Sequence, residues 1–506
     1  MRIKNAFRNS FFSIISQIIL IIVGFFSQRV MNLRLGEELV GMNSVISNII
    51  ALLSVTELGI SVAVVYHLYR AIATNDEEQI AGLMNLYRKA YYVFAVVIGG
   101  LGLLIMPFVH LFLKENTFSL DYVRLIYFLW LVRTIASYLL SYKRSVLIAD
   151  QKEYIVSIGT LFANVLNYSM IIVIVELTQN YALALTLNIV VEFVINIWIS
   201  CYVDMKYAFL KRYRRVPLDG ELVHKVLQDI KNIFVTRLSN KLLLSTDSLI
   251  MSSFISVVIV GLYSNYAMIT QSVANVIISF SNALQPTIGN MLIEEDHEKE
   301  YGVLRQITFI FFWIASFSAV SLLVLMTPFV TDIWLGSSYV LNIEIILWCV
   351  LNFFTQTVSM PLGTILSVTG LFQKEKKVSI LATVTNLVLS LILVQYLGVV
   401  GVLVGTFGAY IVQIIYRIRI LVHEYMKLES KRYIIELVQY ISITIAECSI
   451  VYVISQSIYQ SGNRFSFLML MLCCVLVPNG INFLLYRKSW RFQSVFGMVR
   501  SMLQRT

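Results

Sequence analysis

The sequence predicts an all-α integral membrane protein of about fourteen transmembrane helices, each needing roughly 20 apolar residues to cross a bilayer. Three observations carry that expectation. First, 58% of the 506 residues are hydrophobic and only 13% are charged, whereas a soluble domain averages roughly 45–50% apolar and 25% charged. Second, long apolar runs recur over the whole length, leaving no room for a sizeable water-soluble domain. Third, the basic residues are sorted to one side of those runs, as the positive-inside rule requires.

The first run, Phe11 to Phe26, follows Arg2, Lys4 and Arg8 in the manner of a signal peptide. It continues through Ser27-Gln28-Arg29-Val30 without a small-residue cleavage site and reads as a retained span. Charged punctuation then places spans near 39–68, 86–113, 120–147, 154–177 and 181–204, the first being 8–32. The second half gives 227–255, 258–289, 303–331, 340–368, 378–396 and 398–421, with two more near 433–458 and 464–486.

An even number of spans puts both termini on one side. That side collects Lys211-Arg212-Tyr213-Arg214-Arg215, Lys374-Glu375-Lys376-Lys377 and Arg487-Lys488, while the opposite loops hold Arg34, Lys114, Arg124 and Arg464. The expected topology is multi-pass with both termini in the cytoplasm. The net charge of +10 then reports topology and attraction to anionic membrane lipid rather than a nucleic-acid partner. Cys201, Cys349, Cys448, Cys473 and Cys474 show neither metal-ligand spacing nor pairing and read as small buried hydrophobes.

Sliding the chain against itself aligns Met106-Pro107-Phe108-Val109 with Thr327-Pro328-Phe329-Val330, and Glu77 with Glu298. Close to the same offset Asn164-Val165-Leu166 meets Asn386-Leu387-Val388, and Gly41 meets Gly261. The expected organisation is an N-terminal six-helix lobe over 1–205, a basic linker over 206–226 interrupted by Pro217, Asp219 and Gly220, and a second six-helix lobe over 227–422. Two accessory helices and a basic tail occupy 423–506. An even helix count per lobe makes the repeats parallel, about an axis along the membrane normal, with a central cavity between them.

Polar residues show which face of a helix avoids lipid. The first helix carries Ser13, Gln17, Gly24, Gln28 and Asn32 on one side, and the second Asn43, Ser47, Ser54, Glu57 and Ser61. Their repeat equivalents, the seventh and eighth, carry Arg237, Lys241, Ser245, Ser248 and Ser252, and Ser264, Gln271, Asn275, Ser279, Asn282 and Gln285. Matched stripes read as a shared water-accessible cavity, or else as polar helix–helix packing.

Among the ionisable residues inside spans, Arg133 faces the same way as Ser137, Ser141 and Arg144, and is suited either to an anion or to an ion pair with Glu57 or Glu192. Arg29, Arg237 and Lys241 supply cations at two depths for an anionic substrate, with snorkelling to headgroups the alternative for the two arginines. Glu57 and Asp247 are the candidate ion-coupling acids, for H+ or Na+, or counter-charges to a neighbouring arginine. Glu447 falls on the accessory helices, outside the repeat. No Walker loop or His-Glu-x-x-His pair is present and the five histidines are scattered, so no enzyme activity, cofactor or metal is expected.

The opening Asn5-Ala6-Phe7-Arg8-Asn9-Ser10, Glu57-Leu58-Gly59-Ile60-Ser61 and Leu147-Ile148-Ala149-Asp150-Gln151-Lys152, together with the paired repeat helices, give the chain its family likeness. It resembles the polysaccharide-export (Wzx-like) flippases of the multidrug/oligosaccharidyl-lipid/polysaccharide exporter superfamily. The resemblance implies two six-helix bundles with helices one, two, seven and eight lining a central cavity. It also implies an undecaprenyl-diphosphate-linked oligosaccharide as substrate, moved outward by alternating access, with a polysaccharide polymerase and other assembly proteins as partners. By position, Arg29, Arg133, Arg237 and Lys241, with Gln28, Gln271 and Asn275, would form the substrate site. A cation-coupled multidrug or metabolite antiporter of the same superfamily is the alternative.

Overall fold

A computed structural model describes residues 2–54, 60–213, 220–292 and 296–503. Glu57 and the linker residues Arg214, Arg215, Pro217 and Asp219 lie outside the described residues. Every regular element among the described residues is helical, because a helix satisfies its backbone hydrogen bonds within itself and presents no open edge to hydrocarbon.

The chain divides into two compact units, residues 1–264 and 265–506. The first holds α1 (Arg2–Leu53), α2 (Ile60–Ala73), α3 (Glu77–Ile105), α4 (Leu120–Ser141), α5 (Arg144–Ala149), α6 (Glu153–Thr178), α7 (Tyr181–Lys206), α8 (Phe209–Arg212), α9 (Gly220–Phe254) and the start of α10 (Val257–Leu292). The second holds the rest of α10, then α11 (His297–Pro328), α12 (Ile343–Val368), α13 (Phe372–Leu397), α14 (Val399–Ile418), α15 (Ser430–Ile458), α16 (Arg464–Tyr486) and α17 (Trp490–Leu503).

Among the described residues, 12 helices are long and apolar enough to cross a membrane. The stretch Ser16–Leu53 counts once but is two helices joined across a kink at Gly36, whose φ of 83° favours a residue without a Cβ. The 35-residue α9 is long enough to span and is excluded by its polar content, Arg237 and Lys241 included. These two details account for the gap between the twelve and the fourteen spans expected.

Side chains set the helix starts. Asp76, Ser119 and Asn180 accept from the backbone N–H of Gln79, Tyr122 and Leu183, and Asn342 and Asn463 do the same for α12 and α16. Each satisfies an N–H that the first turn leaves without a partner. In the first unit α1 packs on α6, α4 and α9, and α7 bridges α4 and α6. In the second, α13 and α14 form a close hairpin, while α11 packs on α12, α15 and α16. Around α11 an aromatic cluster stacks Phe312 on Tyr440 at 4.1 Å, with Tyr486 against both.

Gly41 and Gly261, paired by the internal repeat, also meet in space within the first unit. A Cβ on Gly261 would lie 1.9 Å from the Glu37 carbonyl oxygen, and one on Gly41 would lie 2.0 Å from that of Val257. Backbone rather than side chain closes each site, so nothing can swing aside. Gly261→Ala or Gly41→Ala must push α1 and α10 apart, and is expected to lower thermal stability by about 1–3 kcal/mol, the usual scale of overpacking. Gly100→Ala, where nothing lies within 4 Å, should be neutral or slightly stabilising in the same melting experiment, since alanine is the better helix former.

Candidate functional site

The polar side chains of the first unit concentrate where α1, α4 and α7 meet. Asn43 Oδ1 accepts from Trp130 Nε1 at 2.8 Å and from the Tyr181 hydroxyl at 2.5 Å. One turn along α4, Arg133 donates from Nε to Glu192 Oε2 at 2.7 Å, with its guanidinium 5.0 Å from the centre of the Trp130 ring. Arg133 and Glu192 are each about one quarter exposed. Arg133 commits only Nε to protein, and its two Nη groups are without protein partners among the described residues. A planar donor fork held by a carboxylate and an indole face can still take a phosphate oxygen.

The pairing along α7 continues past the end of α4. Arg144 donates to Asn196, and Lys143 Nζ donates to Ser200 Oγ at 2.8 Å and Asp204 Oδ1 at 2.5 Å. Past the end of α7, Asp150 accepts from the Tyr207 hydroxyl at 2.5 Å and from Lys152. Burial alone would raise the Asp150 carboxyl, but these two donors outweigh it and hold the group below the ordinary carboxylate range. The Tyr207 phenol is pushed up, by burial first and then by its bond to Asp150.

The other expected site residues fall as follows. Gln28 and Arg29 are half-buried on the first segment of α1, where Asn32 Nδ2 donates to the Gln28 carbonyl at 2.8 Å. Arg237 is exposed and Lys241 half-buried one turn on, and their helix, α9, packs directly on α1. Asp247 is buried on α9 at 8% exposure. In the second unit Gln271 Nε2 donates to Asn275 Oδ1 at 2.9 Å, so these two members of the α10 stripe hold each other. Glu447, on α15, is fully buried and accepts from Ser316 of α11.

The structure therefore brings together Asn43, Trp130, Arg133, Tyr181 and Glu192, pairs Gln271 with Asn275, and sets Arg237 beside Lys241. Trp130 and Tyr181 were not singled out from the sequence. The available signal was an aromatic with a polar atom inside an apolar run, which when buried needs a hydrogen-bond partner.

No protein-family model matches the sequence and no curated protein matches it significantly. The fold does have counterparts. The structure of a lipid II flippase, MurJ, in an inward closed conformation is similar with a TM-score of 0.72 at 14% identity, covering 94% of this chain and 98% of that one. An inward-facing multidrug-resistance MATE transporter of the MOP superfamily gives 0.62 at 13% identity, covering 82% and 98%. A point mutant of the Vibrio cholerae MATE transporter VcmN gives 0.52 at 12% identity, covering 82% and 95%. The chain has the fold of the MOP-superfamily transporters.

Two measurements follow from this geometry. A double-mutant cycle on Arg133→Ala and Glu192→Ala, read by thermal melting, should return a coupling of about 0.5–3 kcal/mol, as for directly bonded residues elsewhere; additivity would mean that the pair does not act as a unit. Tyr207→Phe removes a donor to an acid whose folded pKa is depressed. The stability that Asp150 contributes is present above the unfolded pKa of ~3.9 and lost as pH falls through the lower folded value. The gap in melting temperature between wild type and Tyr207→Phe should accordingly be present at pH 7 and close in strong acid.

Proposed function

We propose that this protein is a flippase carrying an undecaprenyl-diphosphate-linked oligosaccharide from the cytoplasmic to the outer leaflet by alternating access, during polysaccharide biosynthesis. The observation that carries the reading is the fuller likeness to the lipid II flippase, which extends over 94% of this chain against 82% for the inward-facing MATE transporter while covering 98% of either counterpart. A flippase of lipid II is the better template for the added length.

The chemistry of the side chains supports the same reading. A diphosphate and a hydroxylated sugar cannot enter hydrocarbon without polar partners. Arg29, Arg133, Arg237 and Lys241 are the proposed phosphate partners, and Gln28, Gln271 and Asn275 the sugar-directed hydrogen-bonding residues. The internal repeat, 1–205 and 227–422, would supply the two six-helix lobes that alternating access requires. With both termini cytoplasmic, an inside-negative potential favours outward movement of each negative charge by roughly 2.3 kcal/mol per 100 mV. Glu57 and Asp247 are proposed to couple transport to H+ or Na+, and a polysaccharide polymerase is the proposed recipient of the product.

The test is protein-dependent outward movement of a fluorescent undecaprenyl-diphosphate oligosaccharide in proteoliposomes, read by quenching from outside. Arg133→Ala should lower the rate at equal amounts of folded protein, and Arg133→Lys should recover it only partly, because an ammonium lacks the fork that binds two phosphate oxygens. No translocation with several sugars and ion gradients, alongside exchange of small cations, would favour the antiporter.

A further inference from the structure

In the second unit α11 and α15 begin close to the point where α16 hands over to α17, and there two arginines share one carboxylate. Arg305 donates from Nε to Glu436 Oε2 at 3.0 Å and from Nη2 to Glu436 Oε1. Arg491 Nη2 lies 2.9 Å from that same Oε1, and its Nη1 donates to the Tyr440 hydroxyl. The three charged side chains are 7%, 8% and 12% exposed for Arg305, Glu436 and Arg491. Arg491 Nε is buried without a hydrogen-bond partner among the described residues.

This trio holds two positive charges against one negative. Aromatic faces soften the excess: the Arg305 guanidinium lies 5.1 Å from the centre of the Trp490 ring and 5.6 Å from that of Tyr301, and that of Arg491 lies 5.7 Å from Tyr440. Rings attract a cation without cancelling its charge. The rim adds more of the same sign, since Lys431, Arg432, Arg487 and Lys488 are all exposed.

An anion is what such a corner recognises, and the surface beside it says which kind. On α15, Ile434, Ile435 and Val438 are about half exposed and share a face with Lys431 of the rim rather than with Glu436, and on α16 Phe483, Leu484 and Leu485 are equally open. Both stretches lie in segments apolar enough to cross the membrane. A ligand lying against the basic rim and these strips is anionic at one end and hydrocarbon at the other. Trp490, 41% exposed, stands at the boundary between the two, the level at which tryptophan anchors in a bilayer.

We propose that the exposed basic rim of this corner binds the phosphate headgroup of an anionic phospholipid from the leaflet on the C-terminal side, with its acyl chains along α15 and α16. The bound headgroup supplies the missing negative charge and ties α17 to the bundle of α11, α15 and α16. This assignment is independent of which substrate the protein transports.

The experiment places the purified full chain in nanodiscs of phosphatidylcholine alone or with phosphatidylglycerol, and reads melting temperature and retained lipid by native mass spectrometry. Phosphatidylglycerol should raise the melting temperature of the wild type. The double variant Arg487→Gln/Lys488→Gln should melt as wild type in phosphatidylcholine but lose at least half of the phosphatidylglycerol shift and of the retained anionic lipid. Lys376→Gln/Lys377→Gln, on a different basic loop, should keep both. If the first variant does not fold, Arg432→Gln on α15 takes its place. Equal losses in the two double variants would reduce the effect to diffuse surface attraction and overturn the site, as would the absence of any shift. The same shift from inorganic phosphate in phosphatidylcholine discs would identify a free anion instead and overturn the lipid.

Discussion

Hydrocarbon offers no hydrogen bonds, and that constraint reaches every level of this structure. It dictates helix for the backbone, and it decides where polar side chains go. Many serines and threonines donate their hydroxyl hydrogen to a carbonyl of their own helix, as Ser54 does to Ile50 and Thr308 to Leu304. Groups too large for that solution are gathered at helix junctions, where one partner satisfies another.

The junction of α4 with α7 is the clearest case. Arg133 of α4 pairs with Glu192 of α7, and past the end of α4 Lys143 pairs with Ser200 and Asp204 and Arg144 at the start of α5 with Asn196, so the same contacts that satisfy the charges also fix how this stretch lies along α7. At the junction of α11 with α15 the same arrangement recurs with Arg305 and Glu436, Thr308 and Tyr433, and Ser316 and Glu447. Charged groups at such places resist substitution for a physical reason: removal of one partner strands the other in a medium that cannot solvate it.

Much of the candidate site was legible in the sequence as residues without partners. Arg133 and Glu192 were both marked by being ionisable inside an apolar run, and the pairing between them was one of the alternatives left open. Their being 59 positions apart is why it stayed open: helical periodicity orders neighbours three and four residues away and is silent about contacts between helices. Trp130 and Tyr181 illustrate the converse. Each looks like ordinary apolar content until Asn43 is placed between them.

What the sequence determined by itself is what depends on local length and composition. Apolar runs of membrane-spanning length, their capping residues and the segregation of Lys and Arg specify the helices and their approximate ends, because each of these forces acts within a few turns. Tertiary structure alone decided which arginine met which carboxylate, that Gly36 breaks α1 into two segments, that Gly41 and Gly261 let two backbones touch, and that Arg305 and Arg491 converge on Glu436. Those outcomes turn on how whole helices approach one another, and a linear pattern of residues carries no term for that distance.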